Sequence, residues 1–252
     1  MLAEWPAHGE HLILEQRRLA ALAPEPWPFS RAARIGACFV CFAEDRSAEA
    51  GGEEPAWSAA VTFDADRRVA AAVIEGATRA PYRAGMLALR AGPLLEQAVR
   101  SLSLWPDVLL VNATGRDHPR RAGLALQLGA VLDVPTVGVT DRPLEPGALE
   151  PGALERELTG GGPDARLLRS SGVDVAYLVR TRAGARWLVA HAAWRTDART
   201  ALAVVRAACG SARTPLPLRE ARRLARTARA AARGSAPYPP GDPPPQPMGP
   251  RA

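Results

Sequence analysis

The sequence predicts an α/β protein built on one mixed sheet flanked by helices, antiparallel in its first half and parallel in its second. Three observations carry this. WSAAVTFDADRRVAAAVIEGAT (57–78) reads as a hairpin that turns at Asp64 to Arg67. RIGACFVCFAED (34–45), just before it, is β-branched and aromatic enough to add a third antiparallel strand. From residue 85 onward helical periodicity alternates with short apolar runs, which implies right-handed crossovers between parallel strands.

The elements follow in chain order. HLILEQRRLAALA (11–23) has apolar residues at helical spacing and predicts an amphipathic helix, broken by PEPWPFS. After the meander, GMLALRAGPLLEQAVRSL (85–102) reads as a helix and DVLLVN (107–112) as a buried strand. That strand runs into a polar turn carrying His118, Arg120 and Arg121. AGLALQLGAVLD (122–133) is helical and PTVGVT (135–140) a further strand. EPGALEPGALE (145–155) is a tandem repeat in a loop, and DVAYLVR with RWLVAHA looks like another hairpin. TDARTALAVVRAACG and PLREARRLARTARAAARG are predicted helices, the second strongly basic. The final stretch is Pro-rich and is expected to stay disordered, leaving residues 1–233 as one domain and 234–252 as a tail.

Composition narrows the function classes. A chain of 252 residues with 47% hydrophobic content can bury one sizeable core. No apolar run approaches the roughly 20 residues of a membrane-spanning helix, and MLAEWPAHGEH lacks the character of a signal peptide, so a cytoplasmic location is expected. The three cysteines are an odd number, which argues against a disulfide framework. Cys38 and Cys41, three apart on a strand, point to opposite faces and read as core residues rather than a metal pair. All 32 basic residues are arginine, and the net charge is +6. Residues 206–233 hold eight arginines against one acid, Glu220, so the excess lies in this C-terminal segment.

An antiparallel meander that continues into parallel α/β units is the order of a ribonuclease H-like mixed sheet. From about Trp5 to Arg226 the chain resembles the endonuclease V family, metal-dependent nucleases that nick DNA or RNA near deaminated adenine. PYRAG (81–85) looks like the family's Pro-Tyr-x-Pro-Gly wedge, with Ala84 in place of the second proline. VNATGRDHPRRAGLALQLGAVLDVPTVGVT (111–140) looks like its Asp-Gly-x-Gly-x-x-His-Pro-Arg strand, turn and helix, with the strand that follows. EQRRLA and PLPLREARRLAR fit more weakly. The resemblance implies a metal site, yet Phe39 stands where the family's first-strand aspartate falls, Ala91 replaces a glutamate and Asn112 the central aspartate. Asp141 replaces a lysine, and Trp194 aligns with a late histidine; of the polar set His118 alone is retained.

Holding Mg²⁺ over a phosphodiester needs anionic oxygens, and Phe39, Ala91 and Asn112 offer a single neutral amide oxygen. No metal or other cofactor is therefore expected. Asp141 is the best acid left near the crevice, while Asp117, Glu44, Asp45 and Glu75 read as solvated surface acids. Tyr82 and Gly85 would form a wedge that enters a base stack, as the family implies, or Tyr82 simply packs its loop. Arg120 and Arg121, read as opening the helix after His118 and Pro119, would hold a phosphate or form a solvated helix start. The basic C-terminal helix would contact phosphates or present a solvated face. Three functions follow. The first is an inactive endonuclease V-like protein that still binds deaminated or single-stranded DNA or RNA. The second is an active nuclease, using Mg²⁺ or Mn²⁺ through a rearranged site near deoxyinosine. The third is an interaction scaffold whose Pro-rich tail recruits a protein. A monomer is expected in each.

Overall fold

The computed structural model describes residues 5–43, 53–142, 156–159, 164–232 and 234. Five helices and nine strands lie among them. In chain order they are α1 (Gly9–Ala21), β1 (Ile35–Phe42), β2 (Glu54–Asp64), β3 (Arg67–Thr78), α2 (Leu87–Arg100), β4 (Val108–Val111), α3 (Leu124–Leu132) and β5 (Thr136–Thr140). Then come β6 (Arg156–Thr159), β7 (Ala165–Ser170), β8 (Val173–Val179), β9 (Leu188–Ala192), α4 (Ala198–Cys209) and α5 (Leu216–Ala232). The strands make one sheet in the order β3-β2-β1-β4-β5-β9-β8-β7-β6.

The expected mixed sheet is the one that forms. β1, β2 and β3 are an antiparallel meander, and the hairpin turns through Ala65, whose φ is 48°. β4 joins β1 in parallel and β5 joins β4 in parallel, each reached through a helix. Beyond β5 the sheet turns antiparallel again through β9, β8, β7 and β6. Strands β6 and β7 were not read from the sequence. The tandem repeat, the Pro-rich tail, Glu44 and Asp45 lie outside the described residues. Among those described, no helix is long and apolar enough to cross a membrane.

Helices cover both faces, so the central strands are apolar on both sides. Period-two alternation splits β4: Leu109 and Val111 join the core under α1, α2 and α3, whereas Val108 and Leu110 join the core under α4 and α5. Every residue of α3 is buried, which accounts for its lack of a polar stripe. Asp197 caps α4, its carboxylate accepting from the Thr200 N–H at 2.6 Å. α5 packs its small residues Ala221 and Ala225 inward and exposes Arg219, Arg223 and Arg226.

Candidate functional site

The site grows from the carboxyl end of β4. Pairing of Cys38 with Val111 brings the next residues, Phe39 and Asn112, level with one another. Pairing of Val111 with Gly138 brings Thr140 and Asp141 just past them on β5. Phe39, Asn112, Thr140 and Asp141 thus collect at the carboxyl edge of the sheet, where α/β proteins place their ligand crevice.

The turn after Asn112 is pressed hard against β9. A Cβ on Gly115 would come within 2.0 Å of the Ala192 carbonyl oxygen, so only glycine fits, and Arg116 N–H donates to that same oxygen at 2.8 Å. The close approach buries Asp117 completely, correcting the expectation of a solvated acid. Its Oδ1 accepts from the Gly115 N–H at 3.2 Å and stands 2.7 Å from Nδ1 of His191, also fully buried. On the other side of that ring, Nε2 lies 2.8 Å from the Thr140 hydroxyl oxygen, and Thr140 donates to the Arg142 carbonyl at 2.6 Å. Glu75 is exposed as expected. His191 escaped the sequence reading; the one signal was a histidine inside the apolar run RWLVAHA.

His118 is buried, and its Nδ1 accepts from the Arg120 backbone N–H at 3.2 Å. Arg120 and Arg121 do not open α3, which corrects their expected placement. Arg121 takes a left-handed φ of 56°, the chain extends through Gly123 as N-cap, and the helix starts at Leu124. Their side chains are braces. Arg120 donates to Gln16 Oε1 at 2.5 Å and to the Gly85 carbonyl at 2.7 Å, while Arg121 donates to the Ser170 carbonyl at 3.0 Å.

Gly85 adopts φ 73°, a left-handed turn that suits glycine, and the loop it ends projects Tyr82 outward with 72% of its surface exposed. A pocket of about 200 Å³ lies under this ring, lined by Gln16, Tyr82, Gly85, Asn112, His118 and Thr140. Beside it a cavity of about 20 Å³ is lined by Asn112, Thr140, Asp141, Arg219 and Arg222. Asn112 and Thr140 belong to both.

The positions at which the resemblance implies metal ligands do not offer a divalent cation the anionic oxygens it needs. Ala91 is buried in the core with Cys38 and Val111, and Phe39 carries the Arg222 guanidinium over its ring at 5.2 Å. Asp141 is ion-paired with Arg213 at 2.7 Å. Among the described residues no three His, Cys, Asp or Glu side chains come together in a metal-holding group. Trp194 lies at the far end of β5, its indole reaching Asp133 and its carbonyl accepting from the Thr136 N–H. The cysteines lie on opposite faces of β1 as expected: Cys38 sits under α1 to α3, where burial pushes its thiol pKa up, and Cys41 donates to the Ala225 carbonyl under α5.

On α5, Arg219, Arg222, Arg223 and Arg226 line an open groove of about 420 Å³. Arg223 is paired with Glu220, and Arg68 bonds the same carboxylate. Among the described residues Arg219, Arg222 and Arg226 have no ion-pair partner.

Comparison with known proteins agrees with this architecture. The family described as Endonuclease V matches residues 31–223. An endonuclease V from Methanopyrus kandleri is 40% identical over 161 residues, 64% of this chain and 65% of that protein. One from Thermus thermophilus is 32% identical over 217 residues, 85% of this chain and 90% of that protein. The solved structure of Streptomyces avermitilis endonuclease V superposes with a TM-score of 0.76 at 29% identity, covering 91% of this chain and 96% of that one. That of the human catalytic domain gives 0.73 at 26%, covering 90% and 99%. The sheet order and the helices on both faces are those of a ribonuclease H-like fold, and a family match spanning most of the length decides the assignment: the chain belongs to the endonuclease V family.

Proposed function

We propose that this protein is an endonuclease V family member that binds deaminated or single-stranded nucleic acid and does not hydrolyse it. The observation that carries the reading is an exposed Tyr82 standing over a pocket whose neighbouring family positions, Phe39, Ala91 and Asn112, offer no anionic oxygen. Tyr82 stands exposed over a pocket large enough to receive part of a base, and base stacking on an aromatic ring is worth about 1–3 kcal/mol. Beside that pocket, the positions that would bring anionic oxygen to Mg²⁺ or Mn²⁺ are Phe39 and Ala91, with only the amide of Asn112 left. A rearranged active site would recruit Asp141, but its carboxylate is engaged by Arg213. An endonuclease V from Ciona intestinalis has been solved with a 24mer DNA containing an inosine followed by a ribo-adenosine, and it shares this fold with a TM-score of 0.72 at 19% identity.

The test is a single-turnover reaction of excess protein with an end-labelled inosine oligonucleotide in Mg²⁺, Mn²⁺ or EDTA, with fluorescence anisotropy on the same samples. Intact oligonucleotide together with saturable binding is expected. Metal-dependent cleavage that is lost in Asn112→Ala would establish the active reading instead. Tyr82→Ala should weaken binding by about 5- to 150-fold and leave the melting temperature unchanged, because the ring packs against little.

A further inference from the structure

Three features of the small cavity beside Asn112 point to an anion. The first is Arg222. Its guanidinium lies over the Phe39 ring at 5.2 Å, half-buried, and its Nε is shielded from solvent with no hydrogen-bond partner. A desolvated cation with an unmet donor is an unfavourable arrangement that an arriving anion relieves. The second is the local charge. Arg226 and Arg213 both repel Arg222, and among the described residues the one acid acting on it, Asp141, is held by Arg213. Burial, then these arginines, push the Arg222 pKa down against the pull of Asp141. The third is size and place. About 20 Å³ is room for a single oxygen atom, not for a base or a sugar. The cavity opens between the Tyr82 pocket, with which it shares Asn112 and Thr140, and the arginine face of α5, with which it shares Arg219 and Arg222.

We propose that this cavity is a metal-independent phosphodiester site, in which a backbone phosphate of a bound single strand places one non-bridging oxygen against Arg222 and Asn112. The Phe39 ring seats the guanidinium from below, and Arg219 stands on the outer side. The cation that a nuclease of this family would supply as an ion is supplied here by a side chain, so binding needs no Mg²⁺. Arg226 continues the path one turn further along α5, which gives the strand a direction: base under Tyr82, phosphate at Arg222, backbone along the helix.

The proposal rests on the nucleic-acid-binding reading, and its experiment separates the two. Anisotropy is measured with the full chain and a labelled single-stranded 12-mer containing one inosine, in EDTA and in Mg²⁺. A series of 12-mers follows in which one linkage at a time is a neutral methylphosphonate. Wild-type affinity should be the same within about twofold with or without metal. One methylphosphonate position should weaken it about 10- to 100-fold, the range of a charge-assisted hydrogen bond. Arg222→Gln, which removes the charge and keeps a polar side chain on that face of α5, should show the same loss on the unmodified strand and no further loss at that position. Matched thermal unfolding of Arg222→Gln and wild type would show that the variant is folded. Wild-type affinity in Arg222→Gln, with weakened binding in Tyr82→Ala, would overturn the phosphate site and leave the binding reading standing. Binding that requires Mg²⁺ would also overturn it. No binding by the wild type under any condition would remove both.

Discussion

Asp117 and His191 are the residues on which the shape of the site depends. Both are fully buried, one in a turn and one in a strand, and their 2.7 Å contact joins the segment carrying His118 to the central sheet. Removing one member takes a buried polar partner from the other, a loss that costs about 1–3 kcal/mol. His191→Ala should therefore lower stability by that order in urea unfolding and loosen the turn. A surface pair behaves differently. Arg34 donates to both carboxylate oxygens of Asp107, at 2.8 Å and 3.2 Å, and these bonds hold its carboxyl below the usual aspartate range against the opposing effect of burial. The folded state thus favours the ionised form. The resulting stability is fully present above the ordinary aspartate value of about 3.9 and is lost as pH falls through the lower folded value. Asp107→Asn should lose under about 1 kcal/mol at pH 7, since the pair is a third exposed and screened. The difference from wild type should shrink toward pH 2, as urea unfolding at the two pH values would show.

Among the elements, α2 contains the clearest local conflict. Pro93 sits inside the helix, exposed, where it removes the bond its N–H would make to the Leu89 carbonyl. Pro93→Ala should raise stability by about 1–3 kcal/mol, read as a higher melting temperature. Element scale is also where the sequence was most legible. The hairpin turn at Asp64 to Arg67, the apolar runs of β4 and β5 and the periodicity of α1, α2 and α4 all reflect local patterning, which survives without knowledge of the fold. β7 was missed because ARLLRS places arginines at Arg166 and Arg169 and breaks any apolar alternation. The start of α3 was misplaced because His-Pro-Arg-Arg before an apolar run looks like a helix opening, and a left-handed Arg121 leaves no compositional trace. Phe39, Ala91 and Asn112 could be singled out because a replaced residue stays at its sequence position. Asp117, His191 and the seat of Arg222 on Phe39 could not, since each contact joins segments distant in sequence.

Across the whole molecule, five of the eight arginines of the basic segment after residue 205 lie on α5, and two of them, Arg219 and Arg222, meet the crevice. Three arginines without ion-pair partners among the described residues, Arg219, Arg222 and Arg226, set the expected salt dependence. Engaging three phosphates of a single strand gives a slope of log K against log salt of about −2, and Arg226→Gln should reduce it by about 0.7. Titration of single-strand binding between about 50 and 200 mM salt would measure both. The braces around Gly85 bear on the same encounter. Arg120 and Gln16 both donate to its carbonyl, tying the Tyr82 loop to α1 and to the turn after β4 before any partner arrives. A segment that must order itself on binding gives up about 0.5–1.5 kcal/mol for each immobilised side chain. Here that loss falls mainly on Tyr82 itself. Recognition then begins from a preformed surface, so differences between good and poor strands should be expressed in how long they stay bound and little in how fast they arrive.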